Sequence, residues 1–176
     1  MAIVLETDRL LLREWTQNDA EDAFQFRGDP AVSRYLSATG EPHPNVEYTR
    51  SWLQEFVDHY PVWNGLGHWA VLEKSTGTLI GGAGLEELEN SVNPQVFYNL
   101  RRDRWGIGYA TELAIGLIGH AFRTLGLPRV VAVAFADNPA TIKVLLKAGM
   151  SHCGHHFAYG HDLEYFTIDN PTTGAL

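Results

Sequence analysis

Between Gln95 and Glu112 the chain reads Gln-Val-Phe-Tyr-Asn-Leu-Arg-Arg-Asp-Arg-Trp-Gly-Ile-Gly-Tyr-Ala-Thr-Glu. A strand pattern runs into a turn holding Gly106 and Gly108, and that turn opens a helix. Such a turn aims successive backbone N–H groups and the positive helix end at one point, which is chemistry for an anion such as phosphate. Arg101, Arg102 and Arg104 place positive charge beside it, and guanidinium groups suit phosphate oxygens. Two familiar phosphate motifs do not fit: no Gly-Lys-Ser/Thr ending of a P-loop is present, and Thr111 stands where the dinucleotide fingerprint has its third glycine. Taken alone, the two glycines serve a tight strand-to-helix connection equally well.

The elements that must position this turn follow from periodicity. A strand is predicted over 9–15, a helix from the Thr16/Asn18 cap region to about Arg27, a short helix from Pro30, and a helix from the Asn45 cap to Tyr60. In the last, Trp52, Leu53, Phe56, Val57 and Tyr60 recur at helical spacing and predict a buried face. A hairpin follows over 68–74 and 78–85 with Gly77 in its turn, then a strand over 95–100. The helix over 108–125 carries a stripe of Leu113, Leu117, Ala121 and Leu125, and Gly126 and Pro128 stop it. Residues 130–135 are apolar on both faces, as in a central strand covered by helices. Asn138 caps the next helix, Pro139 opens it and Gly149 ends it, before a last hairpin over 152–168. The order predicts an α+β, or mixed α/β, sheet.

The run from Trp105 to Glu112, the buried strand, Asn138-Pro139-Ala140-Thr141 and Lys147-Ala148-Gly149-Met150 occur in an order and spacing that resemble the GNAT superfamily of acyl-CoA-dependent N-acetyltransferases. The opening Glu6-Thr7-Asp8-Arg9-Leu10-Leu11-Leu12-Arg13 is similar to the RimJ/RimL branch, so the likeness extends from about residue 6 to about residue 168. It implies a central, mostly antiparallel sheet of six to seven strands with a splayed central pair and about four flanking helices. It also implies acetyl-CoA as cosubstrate, its pyrophosphate held by the turn and helix start. Gly108 and Ala110 fit that pattern, Trp105 takes its Gln/Arg position, and Gly106, Ile107, Tyr109 and Thr111 complete it. Arg102 and Arg104 would reach a phosphate or form a solvated charged turn. Leu100 and its neighbours would lie along the pantetheine, with a backbone N–H near the thioester oxygen. Asn138 and Lys143 fall in the segment beside the pantetheine arm, and Asn138 serves as a helix cap as well.

In this family the acetyl group passes directly to a neutral amine, so Cys153 is not needed as a nucleophile. The tyrosine that many members use as an acid is Leu145 here, which leaves the Thr141 hydroxyl as acid or as an ordinary first-turn threonine. For the base, Glu86 and Glu87 end a hairpin strand facing opposite sides, and Glu164 lies on the last hairpin; Glu87, either of the others, or a water chain would serve. Trp52, Tyr60, Trp63 and Trp69 would line an acceptor pocket or fill the core. His152, Cys153, His155, His156 and His161 match no zinc spacing, and no metal is expected.

Composition bounds the rest. The 176 residues carry a net charge of −8 and a single cysteine, which predicts one cytoplasmic domain over 1–176 without disulfides. The acidic balance disfavours nucleic acid and anionic membrane as partners, and no apolar run is long enough to span a bilayer. The expected partner is an amine acceptor, either a protein N-terminus or a small molecule, with a homodimer as a family-level expectation. A non-catalytic acyl-CoA-binding regulator on the same scaffold is the alternative.

Overall fold

The computed structural model describes residues 2–36, 39–60 and 65–172. In chain order they form β1 (Ile3–Glu6), β2 (Leu10–Glu14), α1 (Ala20–Arg27), α2 (Pro30–Ser33), α3 (Val46–His59), β3 (Gly67–Glu73), β4 (Thr78–Glu87), β5 (Pro94–Leu100), α4 (Tyr109–Arg123), β6 (Arg129–Ala134), α5 (Pro139–Lys147), β7 (Ser151–Ala158) and β8 (His161–Asp169). The strands make one sheet in the order β1-β2-β3-β4-β5-β6-β8-β7. Neighbours are antiparallel except β5 and β6, which run parallel and pair at a single position, Gln95 with Val131. Beyond that point Val96 to Leu100 and Ala132 to Ala134 diverge without a ladder, so the centre of the sheet opens as a wedge. No helix among the described residues is long and apolar enough to cross a membrane.

Two faces are built differently. On one, α4 lays Leu113, Leu117 and Ala121, all fully buried, against Val71, Leu85, Val96, Val130 and Ala132; each buried leucine contributes roughly 1.5–3 kcal/mol. On the other, Trp15, Ala20, Ala23, Phe26, Leu53 and Phe56 pack α1 and α3 onto Ala70 and Leu79. The Asn45 and Asn138 side chains cap α3 and α5 by accepting from Tyr48 N–H and Thr141 N–H, and α5 ends at Gly149 as expected.

Four expectations are corrected. The described residues hold eight strands and five helices, not six to seven and about four. The extra strand, β1, is a half-exposed edge of four residues whose own pattern is too short to read; pairing with β2 creates it. The helix expected from the Thr16 region starts at Ala20, after a 3-10 turn over Gln17–Asp19. Helices cover only one face of β6: Val131 on the other face packs against Leu88, Ala158 and Leu163.

The Asp19 carboxylate closes the 3-10 turn as the third residue of a capping box on Thr16. It forms a fork with Arg13, at 2.8 and 2.7 Å, and accepts from Thr16 N–H at 2.8 Å, with both charged residues buried. Burial alone would raise its pKa, but Arg13 and Thr16 hold it below the ordinary carboxylate value. Asp19→Asn is therefore expected to cost about 2 kcal/mol in urea unfolding at neutral pH, since a buried guanidinium loses its counter-charge. A depressed folded pKa stabilises above the unfolded value of 3.8 and ceases to do so as pH falls through the folded value. The gap between wild type and variant should accordingly close in acid.

Candidate active site

Gly108 is the N-cap of α4 at φ 89°, a left-handed conformation that glycine adopts without a Cβ penalty. Its geometry turns the backbone so that the first N–H groups of α4 face outward together. Among the described residues, none of the N–H groups from Gly106 to Thr111 meets a protein acceptor; the first N–H of the helix that does is that of Glu112, on Gly108 O. The Trp105 indole N–H donates to Leu100 O at 2.8 Å and folds the turn back on the end of β5. Trp105 and Ile107 are exposed on either side of Gly106, while Tyr109 is buried and Ala110 and Thr111 are half-buried in the first helical turn.

The turn is braced from the start of the chain. Glu112 accepts from the Thr7 hydroxyl at 2.5 Å, Arg9 N–H at 2.8 Å and Arg9 Nε at 2.7 Å. Partial burial pushes its carboxyl up, but these donors bring it below the usual value. The Arg9 guanidinium also donates to Ile107 O, lies over the Tyr109 ring at 4.5 Å, and would stand 3.4 Å from a Cβ at Gly108. The Thr-Asp-Arg opening, read only as a pattern, thus fastens the helix that bears the anion-binding turn. A cavity of about 390 Å³ lined by Asp8, Arg9, Lys74, Ser75 and Tyr109 adjoins it.

The arginines that drew attention in the sequence are largely spoken for. Arg101 and Arg104 pair with Asp103, Arg104 reaches Glu73, and Arg102 lies 3.4 Å from Asp29. Glu73 is held below its ordinary pKa chiefly by the Tyr109 hydroxyl at 2.6 Å, with Thr76 and Arg104 adding to it. Backbone N–H groups are the turn's uncommitted donors to an anion; Arg102, exposed, is the side chain of the three freest to move.

The wedge lies next to the turn. Arg101 N–H donates to Ile80 O, so by alternation the N–H groups of Tyr98 and Leu100 point away from β4 and toward the opening. Across it, α5 begins with Asn138, whose side chain accepts Thr141 N–H at 3.2 Å. Leu145 is buried in the core, and Lys143 is exposed two residues beyond Thr141.

The α1 and α3 face of the wedge carries a group that spacing alone did not single out. His68 of β3 is stacked on Phe56, with ring centroids 4.4 Å apart, and meets Phe97 in a tilted contact at 4.1 Å. Its Nε2 meets Glu86 at 2.5 Å, and the other Glu86 oxygen accepts from Gln95, which also donates to the Tyr159 hydroxyl. Glu86 therefore stands partly exposed in a polar cluster with His68, Gln95 and Tyr159. Glu87 points by alternation to the opposite face and is exposed, and Glu164 is engaged with His152 on the last hairpin. The segment after α2 crosses the mouth: Arg34 and Tyr35 bond Asp137, and the Tyr35 ring meets Phe135.

Of the other aromatics, Trp52 packs against Trp15 and Phe56, Trp69 is buried against α4, and Tyr60 bonds the His68 carbonyl; Trp63 lies outside the described residues. The histidines of the last hairpin disperse: His152 meets Glu164, His155 lies near Asp162, His156 bonds Glu89 O, and His161 meets Phe135. Among the described residues no three His, Cys, Asp or Glu side chains gather to hold a metal ion. Cys153 is exposed.

Comparison with known proteins bears on what this arrangement is. Residues 9–151 match the family model described as an acetyltransferase (GNAT) domain. The chain is 32% identical over 167 residues, 93% of each chain, to YoaA of Bacillus subtilis (strain 168), described as an uncharacterized N-acetyltransferase. In structure it is similar to a GNAT-family acetyltransferase from Bacillus anthracis (TM-score 0.80, 20% identity, 94% of this chain and 98% of that one). It is also similar to Mycobacterium smegmatis RimJ in complex with CoA-disulfide (TM-score 0.79, 17% identity, 94% and 84%). With a wedge opened beside a glycine turn and a matching family model over most of its length, the chain belongs to the GNAT acetyltransferases.

Proposed function

We propose that this acetyltransferase, with acetyl-CoA as cosubstrate, transfers the acetyl group directly to the primary amine of a protein N-terminus or a small cationic molecule. The pyrophosphate lies on the N–H groups from Gly106 to Thr111, with Trp105 and Ile107 flanking it and Arg102 and Arg104 at its edge. The pantetheine enters the wedge along Leu100, beside Asn138, Thr141 and Lys143. A backbone N–H of β5 facing the wedge stabilises the oxyanion that forms as the amine attacks.

The observation that carries the acceptor half is the Glu86 cluster. A partly exposed carboxylate held between His68, itself packed against Phe56 and Phe97, and Gln95 suits an ammonium group through charge. Glu86 then removes the proton that an ammonium must lose before its nitrogen can attack. Glu87, exposed and by alternation on the other face, is left outside this cluster.

The test is release of free thiol from acetyl-CoA across a panel of polyamines, amino sugars and peptides with free N-termini. Amine-dependent release with an acetylated product of matching mass is the expected result. Coenzyme A binding without thiol release on any amine would favour a regulator on this scaffold and overturn the enzyme assignment.

A further inference from the structure

One group faces the wedge that the reaction has not yet used. Tyr98 sits midway along the stretch of β5 that has lost its β6 partner, in register with Ala83 and packed toward the α4 and α5 face. Its hydroxyl oxygen is buried without a completed hydrogen bond, although a buried phenol ordinarily has a partner. Thr141, in the first turn of α5, is the side chain that approaches it, close enough to favour the phenolate, while burial works the other way and keeps the phenol protonated above the usual tyrosine value. The position matching the tyrosine acid of many relatives is Leu145, whose buried side chain has no proton to give.

We propose that Tyr98, positioned by Thr141, is the acid that protonates the departing coenzyme A sulfur. The inference rests on the acetyltransferase reading above. The amine lone pair forms the C–N bond, the adduct collapses, and the C–S electron pair leaves on sulfur. Sulfur takes the Tyr98 phenolic proton as the S–H bond forms; the phenolate recovers a proton from solvent by way of the Thr141 hydroxyl. The first proton given up by the ammonium goes to Glu86 on the opposite face and on to solvent, and the nitrogen, cationic once the C–N bond has formed, gives its second proton to water as the adduct collapses. Base and acid thus stand on the two sides of the wedge, with the thioester between them.

The experiment compares Tyr98→Phe and Thr141→Val with wild type by turnover, acetyl-CoA affinity, melting temperature and the pH dependence of kcat. Tyr98→Phe keeps the ring, so affinity should stay within twofold and melting should be unchanged or higher, because an unpartnered buried hydroxyl is removed. Its kcat should fall about 100-fold, the range of a lost general acid, by a similar factor across neutral pH because the buried phenol stays protonated there. Thr141→Val should fall less, and the double variant no further than Tyr98→Phe alone, as residues acting as a unit do.

Tyr98→Phe turnover within threefold of an active wild type overturns the inference alone. So does a loss of turnover matched by lost affinity or lowered melting, which would make Tyr98 a binding or packing residue. A wild type that releases no thiol with any amine overturns the enzyme reading and this inference together.

Discussion

Gly108→Val is expected to weaken coenzyme A binding by about 1000-fold, equivalent to losing roughly two charge-assisted hydrogen bonds of about 2 kcal/mol each. The cause is the backbone, more than bulk. At φ 89° a β-branched residue is strained, and relief rotates the turn so that the N–H groups from Gly106 to Thr111 no longer converge. The same strain lowers stability, so a control is needed that shares it without touching the site. Gly126 provides one: it has φ 67°, follows the far end of α4, and a Cβ there meets nothing within 4 Å. Gly126→Val should show comparable loss of melting temperature and wild-type affinity in calorimetry. Equal affinity in the two variants, both folded by circular dichroism, would remove the turn from the binding site.

What could be read before the structure, and what could not, divides along a physical line. Features written in consecutive residues were legible: the strand, glycine turn and helix from Gln95 onward, the Asn45 and Asn138 caps, and the stripe of Leu113, Leu117 and Ala121. β1 was missed because four half-exposed residues carry no periodicity until β2 pairs with them. The arginine cluster misled in degree, because sequence shows charges but not their partners, and Asp103, Glu73 and Asp29 are those partners.

Residues that act across distance were the least legible. Glu86 could not be separated from Glu87 until β3 placed His68 opposite it, 18 positions earlier in the chain. Thr7 and Arg9 find Glu112 more than 100 positions away, so their part in bracing the α4 turn is a product of topology. Tyr98 reads as one more strand aromatic until the fold buries its hydroxyl and brings Thr141 of α5 toward it.

The contrast between Glu86 and Glu87 gives the strongest test of the acceptor side. Glu86→Gln should lower kcat/KM for the amine by about 1000-fold near neutral pH, within the range of a lost general base, with acetyl-CoA affinity within twofold. Glu87→Gln should leave both near wild type. The glutamine keeps size and one acceptor oxygen, so the His68 and Gln95 contacts have a substitute and the fold is spared. The pH dependence separates a base from a scaffold. An alkyl ammonium with a pKa of about 10 supplies its own free amine as pH rises, so the deficit of Glu86→Gln should shrink steadily toward alkaline pH. If Glu86 only held His68 and Gln95 in place, the deficit would be the same at every pH. A pH-independent loss would thus reassign Glu86 as a positioning residue, and a loss below fivefold would return the proton to a water chain. His68→Gln distinguishes the partner's role: with the carboxylate intact, kcat/KM should fall by about 10-fold through disordered packing between Phe56 and Phe97, and its pH profile should keep the wild-type shape. A base made of carboxylate and imidazole acting together would instead lose the profile in both variants.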